Sequence, residues 1–115
     1  MADCLFCRIV AGEIPATIVK RSEDAVAFRD IDARAPTHVL VIPMAHVAAV
    51  RDARGREGEQ LLGRLLQFAA EVATELGLDA GGYRIVTNTG KDAGQSVDHL
   101  HFHVLGGRKL GWPPG

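Results

Sequence analysis

The stretch DHLHFHVLGG, residues 98–107, decides how the rest of the chain is read. In it His99, His101 and His103 alternate with Leu100, Phe102 and Val104. A period of two is the pattern of a β-strand with two unlike faces. The apolar set belongs to a core, and the histidine set faces something polar. The whole chain has five histidines. Three of them on one strand face point to a site rather than to a solvated sheet surface. Positions two apart in a strand are separated by about 6.7 Å, so His99 and His103 lie about 13 Å apart. Metal–nitrogen bonds are only about 2 Å long. One ion therefore cannot hold all three without bending the strand, and an elongated substrate suits the row better.

Upstream of this strand, TGKDAGQS reads as a glycine-rich loop and YRIVTN (83–88) as another strand. Residues 55–78 carry leucine, alanine and valine at three- and four-residue steps. The face made by Leu61, Leu62, Leu65, Leu66, Ala69, Val72, Ala73 and Leu76 predicts one long amphipathic helix, stopped by Gly77. THVLVIP (37–43) is a strand closed by Pro43. TIVKR (17–21) and AVAFRD (25–30) form a hairpin around the turn SED. At the N-terminus Asp3 is expected to cap a short helix that runs to about Ala11 and ends at Gly12. Strands cluster at both ends instead of alternating with helices. The expected fold is α+β, with an antiparallel sheet of about five strands, one long helix and a short N-terminal helix. At 115 residues the chain is expected to form a single domain, 1–115. Its tail, 107–115, is kept irregular by Pro113 and Pro114.

A net charge of −1 gives no electrostatic reason to expect nucleic acid or an acidic membrane as partner. No apolar run is long enough to span a bilayer. The opening residues lack the basic start and apolar run of a secretion signal, so a cytoplasmic location is expected. Cys4 and Cys7 then read as thiols or metal ligands rather than a structural disulfide.

A neutral imidazole is a good nucleophile near neutral pH. The middle histidine, His101, has a neighbour on each side that can donate to phosphate oxygens or protonate a leaving group. The preceding loop adds Gly90 and Gly94, whose amides can approach an anion closely, and the neutral donors Asn88, Gln95 and Ser96. Phosphoryl chemistry fits this set.

HLHFHVLGG resembles the signature of the histidine triad family of nucleotide-binding hydrolases and transferases. FCRIVAGEIPA, VAFRDIDARAPTHVLVIPMAHV, YRIVTNTG, GQSVDHLHFHVLGGR and WPPG follow the family order over nearly the whole chain. GQSV, HVLGGR and the terminal WPPG resemble its nucleotide-binding-protein branch. His103 stands where the family's uridylyltransferases have glutamine. The resemblance implies a HIT-like fold and a purine nucleoside phosphoramidase that cleaves P–N bonds, including those of AMP–lysine adducts, through a nucleotidylated histidine. It implies His101 as nucleophile, with His103 and Ser96 by the phosphate and leaving group. Asn88, Gln95 and the amides around Ser96 and Val97 would contact the phosphate. Asp30 would take the ribose, and Phe6, Ile9, Ile14, Phe28 and Ile31 would hold the base. A homodimer is implied too, with Trp112 reaching the partner's site. Dinucleoside polyphosphate hydrolysis, a zinc hydrolase using His101 and His103, and a nucleotide-binding adaptor are the alternatives.

The CLFC motif allows a redox pair, two idle thiols or a zinc site. A closed zinc site needs two further ligands from His38, His46 and His99. His38 lies inside a strand and reads as structural. The resemblance implies a structural zinc on Cys4, Cys7, His46 and His99, with no cofactor for catalysis.

Overall fold

The computed structural model describes residues 4–115. Helix α1 (Leu5–Val10) precedes strands β1 (Ile18–Arg21), β2 (Ala25–Arg29) and β3 (Thr37–Pro43). Helix α2 (Gly55–Glu75) follows, and strands β4 (Tyr83–Val86) and β5 (Phe102–Gly106) complete the chain. All five strands form one antiparallel sheet in the order β1-β2-β3-β5-β4. The SED turn is held by the Ser22 hydroxyl, which accepts from the amides of Asp24 and Ala25.

The sheet separates two apolar layers. Val39 and Val41 of β3, Leu100, and Phe102 and Val104 of β5 pack with α2 on one face. Val26, Phe28, Leu40 and Ile42 pack with Phe6 and Ile9 of α1 on the other. The expected alternation in residues 98–106 therefore holds, although regular pairing starts only at Phe102. The segment carrying His99 and His101 lies before the strand and is not part of its ladder. In the same way β4 ends at Val86, so Thr87 and Asn88 fall outside the pairing.

Two local expectations need correction. Asp3 lies outside the described residues, and the cap of α1 is Cys4, whose Sγ accepts from the Cys7 amide at 3.3 Å. On α2 the buried face includes Phe68, whereas Leu66 is exposed. At 100° per residue Leu66 and Phe68 fall on opposite edges of that face, and the sheet covers the Phe68 edge and not the Leu66 edge. Gly77, at φ +76°, stops the helix as expected. Gly58 is needed for a different reason: a Cβ there would collide with the backbone of Ala53.

Candidate active site

On the α1 side of the sheet lies a cleft of about 260 Å³. Phe6, Ile9, Ile14, Phe28 and Leu40 make its apolar wall, with Leu5 and Ile31 at the rim. Asp30, Ser96, Val97, His101 and His103 supply its polar groups. Phe6 meets Phe28 edge-on at 5.6 Å and His101 at 5.1 Å between centroids. Such ring pairs add about 1 kcal/mol each beyond their buried area. A larger cavity, about 480 Å³, lies between the β1–β2 turn, the segment after β3 and the start of α2. It is lined by charged groups such as the Arg64–Asp24 ion pair and holds no histidine or cysteine.

Each histidine's hydrogen-bond partners assign its proton. His101 Nδ1 lies 2.7 Å from the carbonyl oxygen of His99. A carbonyl only accepts, so Nδ1 carries the proton and Nε2 keeps its lone pair. The carbonyl of His101 is itself held by the Thr87 hydroxyl at 2.8 Å. His103 has the opposite tautomer. The Arg34 amide donates to His38 Nδ1 at 3.0 Å, which leaves the His38 proton on Nε2. That nitrogen is 2.9 Å from His103 Nδ1, so His103 accepts there and carries its own proton on Nε2. Asp30 Oδ2 lies 3.3 Å from the same His38 nitrogen, and its Oδ1 accepts from the Asp32 amide. Burial lowers the pKa of His38 and takes that of His103 down to about 4. A positive charge on His101, whenever that ring is protonated, acts in the same direction on His103. The cleft thus holds His101 with its proton fixed on Nδ1, so that the neutral ring presents a bare Nε2, beside a neutral His103 with an Nε2–H, their ring centroids 5.1 Å apart. One can attack, and the other can donate to an anion.

A HIT domain model matches residues 11–110. This chain belongs to the HIT family. It is 44% identical over 109 residues to the purine nucleoside phosphoramidase of Escherichia coli K12, covering 95% of this chain and 91% of that protein. It is 48% identical over 113 residues to a HIT-like protein of Synechococcus elongatus, covering 98% and 97%. Among solved structures, a HIT family hydrolase from Legionella pneumophila superposes with a TM-score of 0.94 at 47% identity, covering 98% of this chain and all of the other. A histidine triad protein from Clostridium difficile gives 0.92 at 39% identity, with 96% of each chain covered.

The first histidine of the stretch turns the other way. His99 donates from Nε2 to the carbonyl of Pro43 at 3.0 Å. Its bare Nδ1 faces Cys4 Sγ at 3.3 Å and Cys7 Sγ at 3.5 Å, while Cys7 Sγ lies 3.2 Å from His46 Nδ1. Bonds of about 2.3 Å to sulfur and 2.0–2.1 Å to nitrogen give a tetrahedral S···N edge of about 3.5 Å. The four donors all lie within 4.8 Å of one another, so their chemistry and spacing fit zinc. Asp30, His38 and His103 are equally close together. There the 2.9 Å nitrogen–nitrogen distance is shorter than the edge of about 3.3 Å that zinc would need. For His38 to ligate through Nε2, its proton would also have to move to Nδ1, against the Arg34 amide. This second group is a hydrogen-bond relay.

The structure gathers most of the expected residues. Phe6, Ile9, Ile14, Phe28, Asp30, Ile31, Ser96, Val97, His101 and His103 share the cleft, and Cys4, Cys7, His46 and His99 share the second cluster. Three others lie away from the cleft lining. Gln95 braces the loop: its Oε1 accepts from the Gly90 amide, and its Nε2 donates to the carbonyls of Ala48 and Val97. Asn88 is half-buried beyond the lining. Trp112 is 81% exposed and lies 6.0 Å from the guanidinium of Arg84, which also donates to the Gly111 carbonyl. The amides of Gly90 and Gly94 are taken by Gln95 Oε1 and the Lys91 carbonyl, so neither is free for an anion. The residue that sequence reasoning missed is His38. Its signal was parity: His38, Leu40 and Ile42 alternate onto the face that holds the cleft wall.

Proposed function

We propose that this chain hydrolyses the P–N bond of purine nucleoside 5′-phosphoramidates through a nucleotidylated His101. The observation that carries the reading is the bare, oriented Nε2 of His101 in a cleft with an apolar wall and the Asp30 carboxylate. The likeness to the Escherichia coli purine nucleoside phosphoramidase supplies the substrate class.

His101 Nε2 attacks phosphorus, the new N–P bond forms, and the bond to the amine nitrogen breaks. The Nδ1–H···O=C bond to His99 becomes charge-assisted as the imidazole turns cationic, which favours this step. His103 Nε2–H donates to the phosphoryl oxygens, as an oxyanion donor does. A neutral imidazole is too weak an acid to surrender that proton outright. The proton that the amine needs comes from solvent through the Ser96 hydroxyl, which gives one proton as it takes another. Water then attacks phosphorus and gives up a proton to solvent, His101 departs with its lone pair restored, and the nucleoside monophosphate leaves. Asp30 holds the ribose hydroxyls, and Phe6, Ile9, Ile14, Phe28 and Ile31 enclose the base. Val97 and the Ser96 amide lie along the phosphate.

A zinc ion on Cys4, Cys7, His46 and His99 would have four protein ligands and supply a structural crosslink. The chain works as one domain, 1–115, in the cytoplasm and as a homodimer, with Trp112 of the 107–115 tail reaching the partner's cleft. No helix among the described residues is long and apolar enough to cross a membrane. The test is steady-state kinetics on an adenosine phosphoramidate, its guanosine analogue and a diadenosine polyphosphate, each with and without chelator. Chelator-resistant turnover with preference for the P–N substrates is expected. Preference for the P–O–P substrate would transfer the chain to dinucleoside polyphosphate hydrolysis.

A further inference from the structure

Helix α1 has six residues, far fewer than a helix needs to persist alone. It carries two kinds of side chain. Phe6 and Ile9 enter the cleft wall, whereas Cys7, with the capping Cys4, faces His46 and His99. The Phe6 ring lies against both sites, edge-on to His99 at 5.9 Å and to His101 at 5.1 Å. His99 also belongs to both. Its Nδ1 faces the thiols, and its carbonyl fixes the proton of His101.

We propose that metal occupancy at Cys4, Cys7, His46 and His99 sets nucleotide affinity, by fixing the Phe6–Ile9 wall and the main chain that orients His101. The proposal rests on the zinc and nucleotide readings above. Without the metal, α1 is anchored to the sheet mainly by two buried side chains, Phe6 and Ile9, while its backbone bonds stay within residues 4–13, and the wall loses its fixed position. Ordering the wall then has to be done by the nucleotide, which weakens its binding. Linkage makes the effect reciprocal, so a bound nucleotide retards loss of the metal.

The experiment uses the full chain with reduced thiols, zinc as the metal and AMP as the nucleotide probe. AMP binding is measured by calorimetry on the zinc form, after chelation, and after zinc is restored. Transfer of zinc to a chromophoric chelator is timed with and without AMP. Removing zinc should raise the Kd for AMP by on the order of tenfold, and saturating AMP should slow zinc transfer by a similar factor. Phe6→Ala should keep one zinc per chain but reduce both effects to less than about twofold, because it removes the ring that touches both sites. If the zinc-free chain unfolds, as circular dichroism would show, the transfer rate measured on the zinc form decides alone. One zinc per chain with AMP affinity and zinc transfer independent of each other would overturn the proposal. A chain that binds AMP but holds no zinc would overturn the metal reading and this inference with it. A zinc form that does not bind AMP would overturn the nucleotide reading instead.

Discussion

His99 and His103 are four residues apart, yet the fold places them in opposite arrangements. At His99 the proton is on Nε2, engaged by the Pro43 carbonyl, and the lone pair on Nδ1 meets two thiols. At His103 the lone pair on Nδ1 is engaged by His38, and the proton on Nε2 is left for the cleft. Both are neutral because burial penalises the charged form. The difference lies in what holds the inner nitrogen. A carbonyl makes a histidine into a ligand, and an N–H donor makes it into a donor. Residue type and spacing alone cannot separate the two outcomes.

The largest effect that could break this comparison belongs to the histidine between them. His101→Ala should remove turnover by several orders of magnitude while AMP still binds, as calorimetry would show. Near-normal turnover would end the covalent route. Next comes the relay. His38→Phe leaves His103 Nδ1 without its donor and allows the other tautomer, whose bare Nε2 would repel phosphoryl oxygens. A fall in kcat on the order of 10²-fold is expected, the scale of losing one oxyanion donor. His38→Gln can accept from the Arg34 amide and donate to His103, so it should recover most of the loss. Nitrogen-15 shifts of His103 would report the tautomer directly, and an unchanged tautomer in the phenylalanine variant would refute the relay.

A smaller effect is expected at the metal end. Cys4→Ala with Cys7→Ala should abolish zinc binding and lower the thermal midpoint, yet change kcat at saturating substrate by less than about tenfold. Loss of a ligand that touches no reacting atom alters binding and stability more than the chemical step. A collapse of kcat at saturation would give the metal a catalytic role. The smallest effect concerns acid. His38 and His103 stay neutral in the fold, whereas an unfolded histidine titrates near 6.5 and His103 near 4. Between those values the unfolded chain binds more protons, so stability falls as pH drops through that window. Urea melts at pH 7 and pH 5 should show the decline, and His103→Gln should flatten it.

The alternation in 98–106 made the two faces of the sheet legible. It could not reveal that the segment leaves the ladder before Phe102, because the pattern survives where the pairing does not. That departure allows His99 to turn its ring to α1 and the Pro43 carbonyl. The gathering of Cys4, Cys7, His46 and His99 was legible only through family likeness, since Cys4, His46 and His99 are far apart in sequence. His38 was read as structural for a related reason. Its partner, His103, lies on β5, and the adjacency of β3 to β5 is a matter of topology. The bracing role of Gln95 was not legible because an amide in a glycine-rich loop looks the same whether it serves a ligand or the loop itself.

One hydrogen bond described above has a consequence for how such a protein can change over generations. His101 takes its orientation from the main chain of residue 99, not from that residue's side chain. Any amino acid at position 99 presents the same carbonyl, so the imidazole there is free to drift once the thiols are gone. A lineage could discard such ligands one by one and keep the acceptor its nucleophile needs, provided packing took over in holding that main chain.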